Sequence, residues 1–160
     1  MSNNNINSDL DHLSLHDCII EDFEWNNKEL VLYFEYIDVL HTHPNNPYDT
    51  AKCGEHSKLT FKNCVISKVI RYDTSKVTKR ISDASDTEIV DMNFEEFAID
   101  FEILKVTHQR TIGDRKVYQI FGQCAFEYNS DFGEFIVTFD SVDAEWSKLE
   151  QDSWFVGFGE

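Results

Sequence analysis

Apolar and polar residues alternate along most of the chain. In CIIEDFEW, Ile19, Phe23 and Trp25 share one parity, and Asp22 and Glu24 fall on the other. That is the period of a half-buried strand. In ELVLYFEYI, Leu30, Leu32, Phe34 and Tyr36 form one face. Asn26-Asn27-Lys28 separates the two runs, and asparagine tolerates a left-handed backbone, so the pair reads as a β-hairpin. A polar segment of about twenty residues follows, from Asp38 to Ser57. A loop of that length inside a compact domain usually carries function.

KLTFKNCVISKVIRYD reads as a further strand, with Leu59 and Phe61 alternating against Lys58 and Lys62. The apolar parity moves to Cys64 and Ile66 after Asn63, which predicts a bulge or kink there. Outward lysines suit an edge strand. Residues 73–88 have no sustained period and read as a second loop. NFEEFAIDFEILKVTHQ fits two patterns. Asn93 with Glu96 has the form of a capping box, and Phe94, Phe97, Phe101 and Leu104 keep helical spacing. Phe97, Ile99, Phe101 and Ile103 also alternate, so one helical turn at 93–96 followed by a strand is the reading adopted.

KVYQIFGQCAFEY is a strand in which Gly122 marks a bulge. Asn129-Ser130-Asp131 is a turn, and FGEFIVTFDSVDAEW places Phe135, Val137 and Phe139 on one face. These last two long strands should pair as a hairpin. Trp154, Phe155 and Phe158 in the tail should tuck onto the body, since leaving each ring wet forgoes roughly 1.5–3 kcal/mol. The sum is a mainly β fold, an antiparallel sandwich or open barrel with little helix. Residues 1–12, rich in Asn and Asp, read as a disordered N-terminus, and residues 13–160 as a single β-rich domain.

Charge narrows the partners. The net charge is −16, distributed as −9 over residues 1–51, +6 over 52–80, −5 over 81–118 and −8 over 119–160. Most of such a surface repels nucleic-acid phosphates and anionic membranes, so a charged partner is expected to be a basic protein. No apolar run approaches a membrane span, and the first residues lack the form of a secretory signal. The expected compartment is the cytosol, where Cys18, Cys53, Cys64 and Cys124 are free thiols. A symmetric homodimer is the generic expectation for oligomeric state.

The candidate chemistry lies in HTHPNNPYDTAKCGEH. His41-x-His43 sets two imidazoles on one face, and Cys53-x-x-His56 has the spacing of a zinc half-site, with Cys64 a further contributor. His41, His43, Cys53 and His56 are therefore the candidate metal ligands, for zinc. Their order matches no zinc module, and the cupin pattern fails because Pro47, Tyr48 and Asp49 stand where it needs a glutamate. A second cluster, His16-Asp17-Cys18, has nucleophile residue types, but sequence neighbours rarely converge for catalysis. Its expected role is bonding backbone at a strand entry. No phosphate-binding loop or Gly-x-Ser-x-Gly elbow occurs. No catalytic or cofactor-binding residue is assigned.

LSLHDCIIEDFEWNNKELVLYFE, together with the later strand ending DAEW, resembles a loose group of small uncharacterised bacterial proteins that open with an "LHD" strand. Some of these resemble polymorphic-toxin immunity proteins. The resemblance covers under half of the chain and brings no site residues. It implies a β-rich cytosolic domain that binds and blocks a toxin. The expected function is a non-enzymatic protein-binding module, with its surface on the long loop and around Glu127–Glu145. The alternatives are a metal-dependent or thiol enzyme using the loop, and a barrel that binds a small ligand.

Overall fold

The structure, a computed structural model, describes residues 5–7, 10–74 and 88–157. Strands make up 61% and helix 5%, so the mainly β, antiparallel expectation holds. The strands are β1 (Asn5–Asn7), β2 (Leu13–Ser14), β3 (Cys18–Trp25), β4 (Leu30–Val39), β5 (Lys52–Lys62) and β6 (Val65–Asp73). They continue with β7 (Glu88–Asp91), β8 (Glu102–Ile112), β9 (Arg115–Gln123), β10 (Phe132–Phe139), β11 (Ser141–Glu145) and β12 (Lys148–Asp152). One helical turn, α1 (Phe94–Phe97), precedes β8 as expected, although the Asn93 side chain makes no capping hydrogen bond. The sheet runs β1-β11-β5-β4-β3-β8-β9-β10-β6-β7, with β12 also on β5 and β2 on β4. It stays open rather than closing into a barrel. Its two halves fold over one another around a single core.

The fold-over begins in β3. Cys18 and Ile19 pair with β8, whereas Ile20 to Trp25 pair with β4, and the register slips between Ile20 and Asp22. That bulge reverses the parity expected for the strand. Cys18 and Ile20 face the core, Ile19 is exposed, and Phe23 and Trp25 return inward. A bulge adds one residue and bends its strand, which simple alternation cannot register.

The second corner lies where β5 gives way to β6. The single strand expected over 58–73 is two strands broken at Asn63, whose φ is +49°. β11 follows β10 across the same corner at Asp140, whose N–H donates to the Lys62 carbonyl at 3.0 Å. Asn63 Nδ2 donates to Asp140 Oδ2 at 2.9 Å, and Arg115 Nη2 to the Asn63 carbonyl at 2.5 Å. The corner's backbone groups thus find partners within the turn, as buried backbone requires. β5 lies between β4 and β11 rather than at an edge. Its lysines serve ion pairs instead, Lys58 with Glu145 at 3.4 Å and Lys62 with Glu29 at 2.9 Å.

The core is phenylalanine-rich. Phe97, Phe101 and Phe135 are fully buried, and Phe61 from one half meets Phe139 from the other with ring centroids 5.0 Å apart. Phe135 packs edge-on against Phe94, Phe97 and Phe101, the geometry that aromatic quadrupoles favour. Gly122 and Gly133 face each other across β9 and β10 and make room for these rings. A Cβ on Gly122 would lie 2.0 Å from the Glu102 carbonyl and 2.8 Å from Phe101. The glycine marks a close approach, and the expected bulge lies beside it on the partner strand, where the β8–β9 register shifts between Ile103 and Lys105, whereas the β9–β10 register runs through it without a shift.

Several expected boundaries move. The loop after β4 is Leu40 to Ala51, so Cys53 and His56 sit on β5 rather than in a loop. Within the stretch 1–12, Asn5–Asn7 pairs with β11, and Leu10 is buried with its N–H donating to Tyr118 Oη at 3.3 Å. Residues 75–87 of the expected second loop, and Phe158 in the tail, lie outside the described residues. Trp154 is tucked only in part, 54% exposed with its ring centroid 6.2 Å from that of His16.

Candidate functional site

The histidines and cysteines of HTHPNNPYDTAKCGEH do not converge. His41 is exposed on the loop, and His56 is exposed on β5 with a φ of +47°. His43 is buried, its Nδ1 accepts from the Asn45 N–H at 3.1 Å, and its ring meets Trp146 edge-on at 5.4 Å. Burial and the nearby His12 hold its pKa down at about 4. Cys53 pairs in register with Asp38, whereas Cys64 sits at the β5–β6 corner with its N–H donating to the Lys28 carbonyl at 2.5 Å. Among the described residues, no group of three or more His, Cys, Asp or Glu side chains is placed to hold a metal ion.

Burial disfavours the thiolate form of each cysteine. Burial pushes Cys53 and Cys124 up to about 11 and Cys64 up to about 12, and it raises Cys18 as well. At neutral pH all four are protonated, whereas nucleophilic attack needs the thiolate. His16 has its Nδ1 2.8 Å from the Leu104 carbonyl, which orients the ring on the β3–β8 junction, and its Nε2 lies 3.5 Å from Asp17. The loop itself is knit by buried Asn46. Its Nδ2 donates to the carbonyls of Val39, Leu40 and Thr50, and its Oδ1 accepts from the Tyr48 N–H.

The concave surface lies elsewhere, on the outer face of β3, β4 and β5. The β3 bulge exposes Glu21, and both β4 and β5 reverse their buried parity midway, between Phe34 and Ile37 on β4 and about His56 on β5. Three hollows result. One of about 490 Å³ is lined by Glu21, Phe34, His56, Ser57 and Trp146, among others. A second of about 310 Å³ shares Glu21 with it and adds Asp17, Ile19, Glu35, Tyr36 and Asp100. A third of about 160 Å³ shares Tyr36 and adds Asp38, Cys53, Gln151, Asp152 and Trp154. Together they form one groove across the sheet.

The groove is acidic. Among the described residues, no lysine or arginine forms a salt bridge to Asp17, Glu21, Glu35, Asp38, Asp100 or Glu102, and the nearby Lys52 and Lys58 are taken by Asp152 and Glu145. Burial, then the Asp17 charge, raises the Glu102 pKa. Exposed apolar side chains line the groove, Ile19 at 45% and Trp154 at 54%. Isolated exposed apolar residues are ordinary, but Ile19 and Trp154 beside adjoining charged hollows resemble the anchor-and-rim pattern of an interface.

Asp38 is the anomaly. It is 1% exposed, and neither carboxylate oxygen has a hydrogen bond of ordinary geometry. Burial raises its pKa and the Asp17 charge adds to that, while the Ser153 hydroxyl offsets part of the rise. The other buried carboxylates are provided for. Asp131 accepts from Arg71 Nη1 at 2.9 Å and from the Thr74 hydroxyl at 2.5 Å. Glu134 accepts from Tyr72 and Gln119 and lies 3.6 Å from Lys68 Nζ. Burial alone would raise Glu134, yet these donors hold it below the usual range.

Sequence reasoning named Asp17 in another role and passed over Glu21, Glu35, Asp100 and Asp38. The available signal was Asp38 itself, a charge inside the apolar run YIDVL. Comparison with protein-family models, with curated proteins and with solved structures finds no match.

Proposed function

We propose that this protein is a non-enzymatic binding module whose groove over β3, β4 and β5 receives a basic segment of a partner protein. The observation that carries this reading is a groove whose carboxylates Asp17, Glu21, Glu35, Asp38 and Asp100 have no lysine or arginine partner among the described residues and stand beside exposed Ile19 and Trp154. Like charges gathered in a hollow repel one another, and a cationic partner relieves that repulsion while steering association. The resemblance of the LHDCIIEDFEW region to immunity proteins gives the partner a character, a basic toxin blocked in the cytosol. Burial that disfavours all four thiolates weighs against a thiol enzyme.

Co-expression with the product of the neighbouring gene tests it. The expected result is that the neighbour is basic, is harmful when expressed alone and is rendered harmless by this protein. The complex should weaken steeply as salt rises from 50 to 500 mM, over which the Debye length shrinks from about 14 Å to about 4 Å. The triple charge reversal Glu21→Lys, Glu35→Lys and Asp100→Lys should lower affinity by at least ~100-fold. Equal binding by that variant would overturn the groove as the interface.

A further inference from the structure

We infer that the hollow beneath Trp154 is a socket for one guanidinium group, an arginine side chain carried by the partner. This rests on the protein-binding reading and names the side chain at its centre. Asp38 forms the base of the socket. Its neighbours Ile37 and Val39 face the core, so Asp38 and Tyr36 share the outer face of β4, opposite Cys53 of β5. The terminal segment forms the roof. Ser153 N–H donates to the Ala51 carbonyl at 3.1 Å, and Lys52 Nζ holds Asp152 Oδ1 at 2.7 Å.

Three observations select the ligand. A buried carboxylate without a well-formed hydrogen bond is costly, and the two other buried carboxylates among the described residues are both satisfied. Neither buried Asp38 oxygen has a hydrogen bond of ordinary geometry, the Ser153 hydroxyl being the one group that offsets its charge, and a guanidinium donates two parallel N–H groups to such a carboxylate, whereas an ammonium is a point donor that is more strongly hydrated. The walls are Tyr36 and Trp154, whose faces favour a planar cation, and a hollow of about 160 Å³ suits the end of one side chain. Because the oxygens lie under the tail, the cation enters as the exposed Trp154 segment lifts and then closes over it.

The test is a titration of the full chain with N-acetyl-arginine amide, followed by amide chemical shifts and Trp fluorescence. N-acetyl-lysine amide and the neutral isostere N-acetyl-citrulline amide are the comparison probes. The expected result is saturable shifts at Asp38, Cys53, Ser153 and Trp154, at least 5-fold weaker binding of the lysine probe, and no binding of the citrulline probe. Asp38→Asn should lose at least 10-fold in affinity for the arginine probe. Trp154→Ala, at an exposed position, should lose 3-fold or more, and it keeps the test decisive if Asp38→Asn fails to fold. Absence of shifts at these amides, or equal binding by both variants, would overturn the socket. If the toxin partner binds and Asp38→Asn leaves its affinity unchanged, the socket fails and the groove stands. If the arginine probe binds and no basic partner does, the groove reading fails and the socket stands.

Discussion

His43 and Asp38 are two buried titratable groups whose burial has opposite consequences. His43 is held neutral, with a folded pKa of about 4 against 6.5 for the free side chain. On acidification the unfolded chain therefore takes up its proton first. Stability is full above pH 6.5 and falls as the pH drops towards 4, with a loss approaching roughly 3 kcal/mol. His43→Gln should flatten that part of the pH profile. Urea midpoints at pH 7 and pH 4.5 check this, and parallel profiles for the two proteins would show that His43 is not the titrating group. Asp38 has the reverse sign. Its folded pKa is raised, so the folded protein takes up the proton first, and stability recovers as the pH falls towards the free value of 3.8. Asp38→Asn should therefore raise the thermal midpoint at pH 7.5, by about 2–4 °C per kcal/mol relieved in a chain of this size. The gain should vanish towards pH 4. A lower midpoint at both pH values would mean that the carboxylate is satisfied in the fold.

At the scale of elements, close approach sets the sharpest constraint. An added methyl at Gly122 meets a backbone oxygen, which cannot swing aside without disturbing the Ile103–Gly122 pairing of β8 and β9. Gly122→Ala should cost about 3 kcal/mol, the upper end of overpacking. Gly113, at a φ of +61° with open space around it, should lose only about 1 kcal/mol on the same change, from backbone strain. Urea denaturation of the two variants side by side separates these cases, and equal losses would refute the crowding. The elements themselves were largely readable from the pattern. The first hairpin, the helical turn before β8 and the β9–β10 hairpin follow from alternation and turn residues. The face assignment failed where a bulge intervenes, at Glu21 in β3, because one extra residue reverses every later position, and the positive φ at His56 lies in a segment read as loop. The groove depends on those same irregularities. Its acids lie on three strands that only the folded sheet brings together, so it was not legible before the fold. The His and Cys cluster was legible as residue types, but His41 and His43 lie on the loop while Cys53 and His56 are strung along β5 and line separate hollows.

The whole molecule has a net charge of −16, and the groove concentrates that charge in a hollow instead of spreading it. A surface shaped for stability alone would interleave lysines there, as it does at Lys58 with Glu145 and at Lys62 with Glu29. The isolated protein should therefore gain stability from 0.5 M NaCl relative to 20 mM, because salt screens self-repulsion among exposed carboxylates. The charge reversals Glu35→Lys and Asp100→Lys should do the same at low salt, raising the thermal midpoint while weakening partner binding. Stability and binding moving in opposite directions is the signature of residues kept for recognition rather than for the fold. Scanning calorimetry at both salt concentrations, on the parent and the double variant, makes the comparison. If the variant melts earlier than the parent at 20 mM salt, those carboxylates support the fold, and the groove loses its claim as a surface held in reserve for a cationic partner.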